Sequence, residues 1–333
     1  MVYYTHYKHK GSSIYMILYL VIPCYNEEEV LPITCEVLLK KMEDLSQSGE
    51  ISLKSRVLFV DDGSKDKTWE LISGLTERSP FFAGLKLSKN KGHQNALLAG
   101  LMEARKHCDA AISLDSDLQD DINAIDECVA KFKDGSDVVY CVRNNRKSDT
   151  VFKRGTALAF YKLMKNLGVD SVHNHADYRL MSKRALDALS NYKEVNLFLR
   201  GIIPLIGYRH DYVYYSRSER AAGESKYPLK KMLNFAIDGI TSFSVKPLRM
   251  VTKLGFFVVF LSFLGVLYSL ISLLFLETTV PGWTSILISI WLLGGIQLLC
   301  IGICGEYIGK IYSEVKNRPR YNVEELIIDK EDE

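Results

Sequence analysis

Between residues 17 and 142 the chain alternates two patterns of apolar and polar positions. Short runs of consecutive apolar residues, Leu18–Ile22, Val57–Val60, Gly84–Leu87, Ala111–Leu114 and Val138–Val142, have the length and composition of buried strands. Stretches with helical spacing fill the gaps: Glu27–Leu45, Asp66–Glu77, His93–His107 and Asn123–Phe132. Strands alternating with helices predict βαβ units, hence an α/β fold with a mostly parallel sheet covered on both faces. Later, Tyr212–Tyr215 reads as strand packing.

The last third of the chain breaks this rhythm. Leu254–Leu276 is an uncharged run of 23 residues, and Trp283–Gly305 is another. At 1.5 Å per residue each spans about 35 Å as a helix, enough for a bilayer core of about 30 Å. The connection Glu277–Gly282 has no Lys or Arg. Lys246, Arg249 and Lys253 precede the first run, and Lys310, Lys316, Arg318 and Arg320 follow the second. Positive-inside bias then predicts two transmembrane helices with both flanks in the cytoplasm. Just upstream, Leu229, Met232, Leu233, Ala236, Ile240 and Phe243 form one apolar stripe, as in an amphipathic helix lying on a membrane surface. The domain expectations are an N-terminal extension (1–15), an α/β domain (16–227), a juxtamembrane segment (228–253), spans at 254–276 and 283–305, and a cytoplasmic tail (306–333). Translation starting at Met16 would account for the polar extension, and the acidic end from Glu324 reads as frayed.

Composition agrees with a water-soluble part joined to a membrane part. Hydrophobic residues reach 47% beside 25% charged ones. With 42 basic and 40 acidic side chains the net charge is +2, which excludes a nucleic-acid polycation. Seven cysteines are scattered without a C-x-x-C, so reduced thiols are expected rather than a disulfide framework or a zinc site.

The chemistry gathers where strands end, the edge at which parallel sheets bind ligands. The first strand runs into Pro23-Cys24-Tyr25-Asn26-Glu27, the second into Asp61-Asp62-Gly63-Ser64, the third into Asn90-Lys91-Gly92-His93-Gln94-Asn95 and the fourth into Asp115-Ser116-Asp117-Leu118-Gln119-Asp120. Neither G-x-x-x-x-G-K-[ST] nor G-x-G-x-x-G occurs, so phosphate is handled by other means. Asp115 and Asp117 fall on one side of an extended chain and suit a hard divalent ion, Mg²⁺ or Mn²⁺, on a diphosphate. Asp61 and Asp62 can accept hydrogen bonds from a base or ribose.

These segments resemble the signatures of family 2 inverting glycosyltransferases with the GT-A fold. Ala176-Asp177-Tyr178-Arg179-Leu180 and Arg217-x-x-Arg220-x-x-Gly223-Glu224-Ser225-Lys226-Tyr227 resemble, more narrowly, the polyprenyl-phosphate glycosyltransferases, among them bactoprenol glucosyltransferases and dolichol-phosphate mannose synthases. The resemblance covers roughly Met16 to Arg320. It implies that Pro23, Tyr25, Glu27, Asp61, Asp62 and Asp115 line a nucleotide pocket, with Asp62 nearest the uracil or ribose. Asp115, Asp117 and Gln119 would hold the metal. Asp177 would lie near the acceptor as base or positioner, and Arg179, Arg217, Arg220, Ser225 and Lys226 would meet phosphates of lipid and donor. The departures from the family pattern, Ala176, Tyr178 and Asp121-Ile122, bear on the choice of sugar.

The implied reaction moves a hexose from UDP-glucose or UDP-N-acetylglucosamine to undecaprenyl phosphate in a bacterial inner membrane, with inversion. A homo-oligomer, a separate flippase and a downstream glycosyltransferase are the implied partners. A phosphate monoester has a second pKa of about 6, so the nucleophile needs little deprotonation near pH 7. Two other functions compete. A processive polysaccharide synthase would carry a Gln-x-x-Arg-Trp motif, and no tryptophan here follows an arginine. A catalytically dead sugar-nucleotide sensor would not need the intact acidic and basic set.

Overall fold

The computed structural model describes residues 15–143, 175–195, 197–216, 246–275 and 282–328. The first five strands are β1 (Leu18–Cys24), β2 (Arg56–Asp61), β3 (Phe82–Leu87), β4 (Ala110–Ser113) and β5 (Val138–Arg143). Between them lie α1 (Leu31–Gln47), α2 (Thr68–Arg78), α3 (His93–Ala104) and α4 (Ala124–Lys133). The expected alternation is therefore present. The first helix begins four residues late, because Glu27 O first closes a turn onto the N–H groups of Val30 and Leu31. Pro32 then occupies the first helical turn, where its missing N–H costs nothing.

Further along the chain come β6 (His175–Ser182), α5 (Lys183–Leu189), α6 (Leu199–Leu205) and β7 (His210–Tyr215). Two long helices follow, α7 (Lys246–Phe275) and α8 (Trp283–Val315), and then β8 (Val323–Ile327). The described strands form one sheet in the order β7-β5-β6-β4-β1-β2-β3-β8. β6 and β8 run against the other six. The sheet is thus mostly parallel, and the carboxyl ends of β1 to β5 share one edge with the amino end of β6. Strand order reverses between β1 and β4, the place where such sheets open a crevice.

Alternation along the strands divides the core in two. Leu18, Leu20 and Ile22 face α1 and α4, whereas Tyr19 and Val21 face α3. Gly100 brings α3 onto the sheet: a Cβ there would stand 2.4 Å from Val21 Cγ1 and 2.6 Å from Val60 Cγ2. This close seat fixes where α3 starts, and its first residues lie at the functional edge.

The C-terminal expectation needs correction. At the start of the stretch expected to be frayed, Val323–Ile327 is an edge strand, with Gly84 opposite Ile327 and Leu87 opposite Val323, and 329–333 lie outside the described residues. Its acids have partners: Lys86 Nζ lies 3.3 Å from Glu324, and Trp69 Nε1 donates to Glu325 at 3.1 Å. Charged side chains on an edge strand also discourage further strand addition. Both apolar runs are helical, and α7 already begins at Lys246, within the stretch expected to be juxtamembrane. Phe256, Phe260, Leu298 and Ile301 are among their exposed side chains. Among the described residues one stretch, Leu292–Val315, passes as long and apolar enough to cross a membrane. The extension before Tyr15 and the stripe Leu229–Phe243 lie outside the described residues. All seven cysteines are free thiols.

Candidate functional site

At the ends of β1 and β2 the acids are occupied by backbone. Asp61 is fully buried and accepts from Ser64 N–H at 3.2 and 3.3 Å. Asp62 accepts from Lys91 N–H (2.7 Å) with one oxygen and Gly92 N–H (2.8 Å) with the other. Burial pushes both carboxyls up, against the pull of these hydrogen bonds. Gly63 is needed between them and the next loop: its φ is +66°, and a Cβ would lie 2.7 Å from Lys89 and Asn90 backbone. Pro23 is buried beside Val60, Tyr25 is exposed, and the Glu27 N–H is held by Thr68 Oγ1 at 2.9 Å.

The second corner lies across β4 and β6. Ser113 pairs with Arg179, so continuing the antiparallel register sets Asp115 opposite Asp177. Asp177 is 5% exposed. Arg179 Nη2 donates to its Oδ1 at 2.6 Å, while Arg200 grips both oxygens, Nε at 3.2 Å and Nη2 at 3.0 Å. Gln94 Nε2 adds a contact at 3.4 Å. His93 Nε2 stands between the two acids, 3.6 Å from Asp177 and 3.7 Å from Asp115.

Electrostatics separate the two acids. Burial acts to raise Asp177, but His93 and the two guanidinium groups outweigh it and hold the carboxyl well below the usual range. Asp115 is raised, first by burial and then by the nearby carboxylates of Asp177, Asp120 and Asp117, with His93 opposing. A base works best with a pKa near the operating pH. The Asp177 carboxyl is instead held low and paired with both donors of Arg200. Arg179, expected at a phosphate, is 1% exposed; burial lowers its pKa against the Asp177 charge. Its Nη2 meets Asp177 and is closed to solvent.

The loop after β4 is bent and anchored. Leu118 has φ +51°, a costly conformation for a branched side chain. The bend sends Asp120 into the core, where its Oδ1 accepts from Tyr215 Oη (2.6 Å) and Arg143 Nη2 (3.1 Å). Arg143 Nε also donates to Tyr215 Oη at 3.0 Å. Asp117 accepts from Gln119 N–H at 3.3 Å, and the Gln119 side chain is buried. Among the described residues no three His, Cys, Asp or Glu side chains are drawn together as a ready metal cage. The donors nonetheless fit a hard divalent cation: Asp115 and Asp117 supply oxygen, and the carboxylates crowding Asp115 leave negative charge to neutralise.

The structure therefore brings Asp115 and Asp177 together, with Asp117 and Gln119 on the adjoining loop, and sets Pro23, Tyr25, Glu27, Asp61 and Asp62 along the same edge. Arg217, Arg220, Ser225 and Lys226 lie outside the described residues, as does the side chain of His175. Sequence reasoning counted His93, Gln94 and Asp120 among the polar strand ends without individual roles, read Tyr215 as strand packing, and passed over Arg200 and Arg143. Arg200 did leave a signal: it is a lone cation in the apolar run Phe198-Leu199-Arg200-Gly201-Ile202.

Comparison with known proteins gives the following. Residues 19–190 match the family model described as glycosyl transferase family 2. "Uncharacterized glycosyltransferase YkoT" of Bacillus subtilis (strain 168) is 54% identical over 308 residues, covering 92% of this chain and 91% of that protein. The "SfII prophage-derived bactoprenol glucosyl transferase" of Shigella flexneri is 41% identical over 307 residues, covering 92% and 97%. Among solved structures, glucosyl-3-phosphoglycerate synthase from Mycobacterium tuberculosis aligns with a TM-score of 0.45 at 17% identity, over 68% of this chain and 79% of that one.

Proposed function

Because this chain belongs to glycosyl transferase family 2 and is a glycosyltransferase, we propose that it transfers a hexose from a UDP-sugar to undecaprenyl phosphate at a bacterial inner membrane. UDP-glucose and UDP-N-acetylglucosamine are the candidate donors. The observation that carries the reading is the corner at β4 and β6. One acid there, Asp177, is locked to Arg200, and another, Asp115, is surrounded by carboxylates that call for a cation. The similarity to bactoprenol glucosyl transferases over nearly the full length supports the acceptor class.

In this mechanism Asp61 and Asp62 shape the nucleotide pocket with Pro23, Tyr25 and Glu27. Asp115, Asp117 and Gln119 would hold Mg²⁺ or Mn²⁺, which when bound offsets negative charge on the departing diphosphate. The lipid phosphate, already anionic, attacks the anomeric carbon from the face opposite UDP, and configuration inverts. Asp177 keeps the Arg200 guanidinium aimed into the site. Arg200, with Arg217, Arg220 and Lys226 from the following arm, reduces repulsion between two anionic reactants.

A two-span hairpin of α7 and α8 brings the site to the bilayer. Support comes from chain parity. The strand after α8 pairs into the same sheet as the strands before α7. If α8 crosses the membrane, α7 crosses it too, and the catalytic domain and both ends stay on the cytoplasmic side. The amphipathic stripe within 228–253 would then lie along the interface.

The test is a donor panel. Purified full-length protein is incubated with undecaprenyl phosphate, Mn²⁺ or Mg²⁺, and radiolabelled UDP-glucose, UDP-N-acetylglucosamine, UDP-galactose or GDP-mannose. Label from one UDP-sugar in the organic phase, lost on omitting lipid or adding EDTA, is the expected result. Release of UDP with no labelled lipid would reject the acceptor.

A further inference from the structure

The foot of α8 is tied to the active-site corner through a short, doubly pinned segment. Glu314, in the last turn of α8, accepts from Val195 N–H with both carboxylate oxygens, at 2.8 and 2.9 Å. Six residues on, Arg320 Nη2 donates to Tyr192 O at 2.6 Å. Tyr321 packs against the α3-side core, and Asn322 O receives Ser88 N–H at 3.0 Å as β8 begins. The other end of the pinned segment meets the site. Leu199 N–H donates to Gln94 Oε1 at 3.1 Å, the same amide reaches Asp177 through Nε2, and Arg200 grips Asp177. Tyr192 and Val195 thus meet the base of the long apolar helix, and Leu199 and Arg200, a few residues on, meet the site of Asp177.

Local bonds hold that segment only in part, Tyr192 N–H to Leu189 O at 3.1 Å and Leu197 N–H to Val195 O at 3.0 Å. The described residues 191–195 and 197–198 form neither helix nor strand, so their other backbone groups need partners from elsewhere. Glu314 supplies them with a charge, and charge-assisted hydrogen bonds are about twice as strong as neutral ones. α6 is short, seven residues with Pro204 inside, and adds little rigidity of its own.

We propose that Glu314 and Arg320 are positioning residues of the active site. They hold Tyr192 and Val195 in register with α8, so that Arg200 stays paired with Asp177 and faces the acceptor phosphate. The consequence for the enzyme is that the helix carrying the chain back from the bilayer also sets the geometry of the cation that meets the lipid. This rests on the glycosyl-transfer reading above.

The test uses full-length protein in lipid nanodiscs containing undecaprenyl phosphate, with the donor that labels wild type. Glu314→Ala should lower kcat about tenfold or more, with the UDP dissociation constant within about twofold of wild type. Glu314→Gln, which keeps one acceptor, should recover part of the loss. Amide hydrogen exchange should speed up across 192–200 and not in β1 or β2. Lys316→Ala, at the same helix end with its ammonium over the Tyr312 ring, should behave as wild type. Unchanged kcat in Glu314→Ala overturns the proposal. So does a loss of UDP binding and thermal stability together with turnover, which would mark Glu314 as a folding residue only. If wild type itself labels no lipid, the functional reading fails first, and the hydrogen-exchange result still decides whether Glu314 orders the segment.

Discussion

Asp61 and Asp62, and Asp115 and Asp177, are two pairs of acids on one edge of one sheet, yet they are satisfied in different currencies. The first pair accepts from N–H groups of Ser64, Lys91 and Gly92. Those donors cannot leave without moving the chain, so the carboxylates are spent on shaping two loops. The second pair is met by side chains, namely His93, Arg179, Arg200 and Gln94. Such partners can turn toward a ligand. Backbone-satisfied acids build a pocket, and acids satisfied by side chains leave charge that chemistry can use.

The sharpest way to break this contrast is on the loop between the corners. Asp117→Ala should reduce transfer on the order of 10³-fold even with excess Mn²⁺, with the melting temperature nearly unchanged. Steady-state rates and a thermal melt check it. Wild-type turnover would remove the functional difference between the corners. Arg200→Lys comes next. It keeps a positive charge but loses the fork that holds both oxygens of Asp177. Transfer should fall on the order of 10- to 100-fold while UDP binding stays close to wild type, as calorimetry would show.

Asp62→Asn probes the other corner and should show the reverse profile. An amide can accept from one backbone N–H but turns an NH₂ toward the second. Losing a charge-assisted, buried contact costs about 2 kcal/mol, or about 5 °C in melting temperature for a domain of this size. Turnover per folded molecule should change only a few-fold. If stability is intact and UDP affinity is lost, Asp62 is a ligand contact, as the family resemblance implies, rather than a loop anchor.

Much of the first corner was legible in the chain because its parts are local. Each of the first four strands ends within a few residues of its polar group, and five apolar runs predicted five strands with small shifts. The second corner needed the sheet. Asp177 was recognisable only by resemblance, and its distance from Asp115 follows from an antiparallel strand inserted beside β4, which no local pattern announces. Arg200 lies on another element, α6, and no local pattern announces its pairing with Asp177. The acidic C-terminus reads as solvated because Glu324 and Glu325 dominate it. Their neighbours Val323, Leu326 and Ile327 suffice for an edge strand once β3 offers free backbone groups.

The smallest expected effect lies where the two corners share support. Asp120 ties the bent loop of Asp115 and Asp117 to Arg143 and Tyr215, which stand opposite each other at the ends of β5 and β7. Tyr215 is two residues before Arg217 in the sequence, so the anchor joins the acidic loop to the start of the basic arm. Tyr215→Phe removes one hydroxyl and leaves the ring against Tyr178, whose centroid is 5.5 Å away. Asp120 Oδ1 keeps Arg143 Nη2 while Arg143 Nε loses its acceptor, so two hydrogen bonds go, and the one that bears on the loop, to Asp120, costs about 1 kcal/mol. If the anchor positions the loop, that cost appears as a rise of about fivefold in the Mn²⁺ concentration giving half-maximal UDP binding, read by calorimetry, with kcat at saturating metal nearly wild type. If the hydroxyl serves only the fold, the melting temperature drops by a few degrees and the metal dependence of UDP binding does not move.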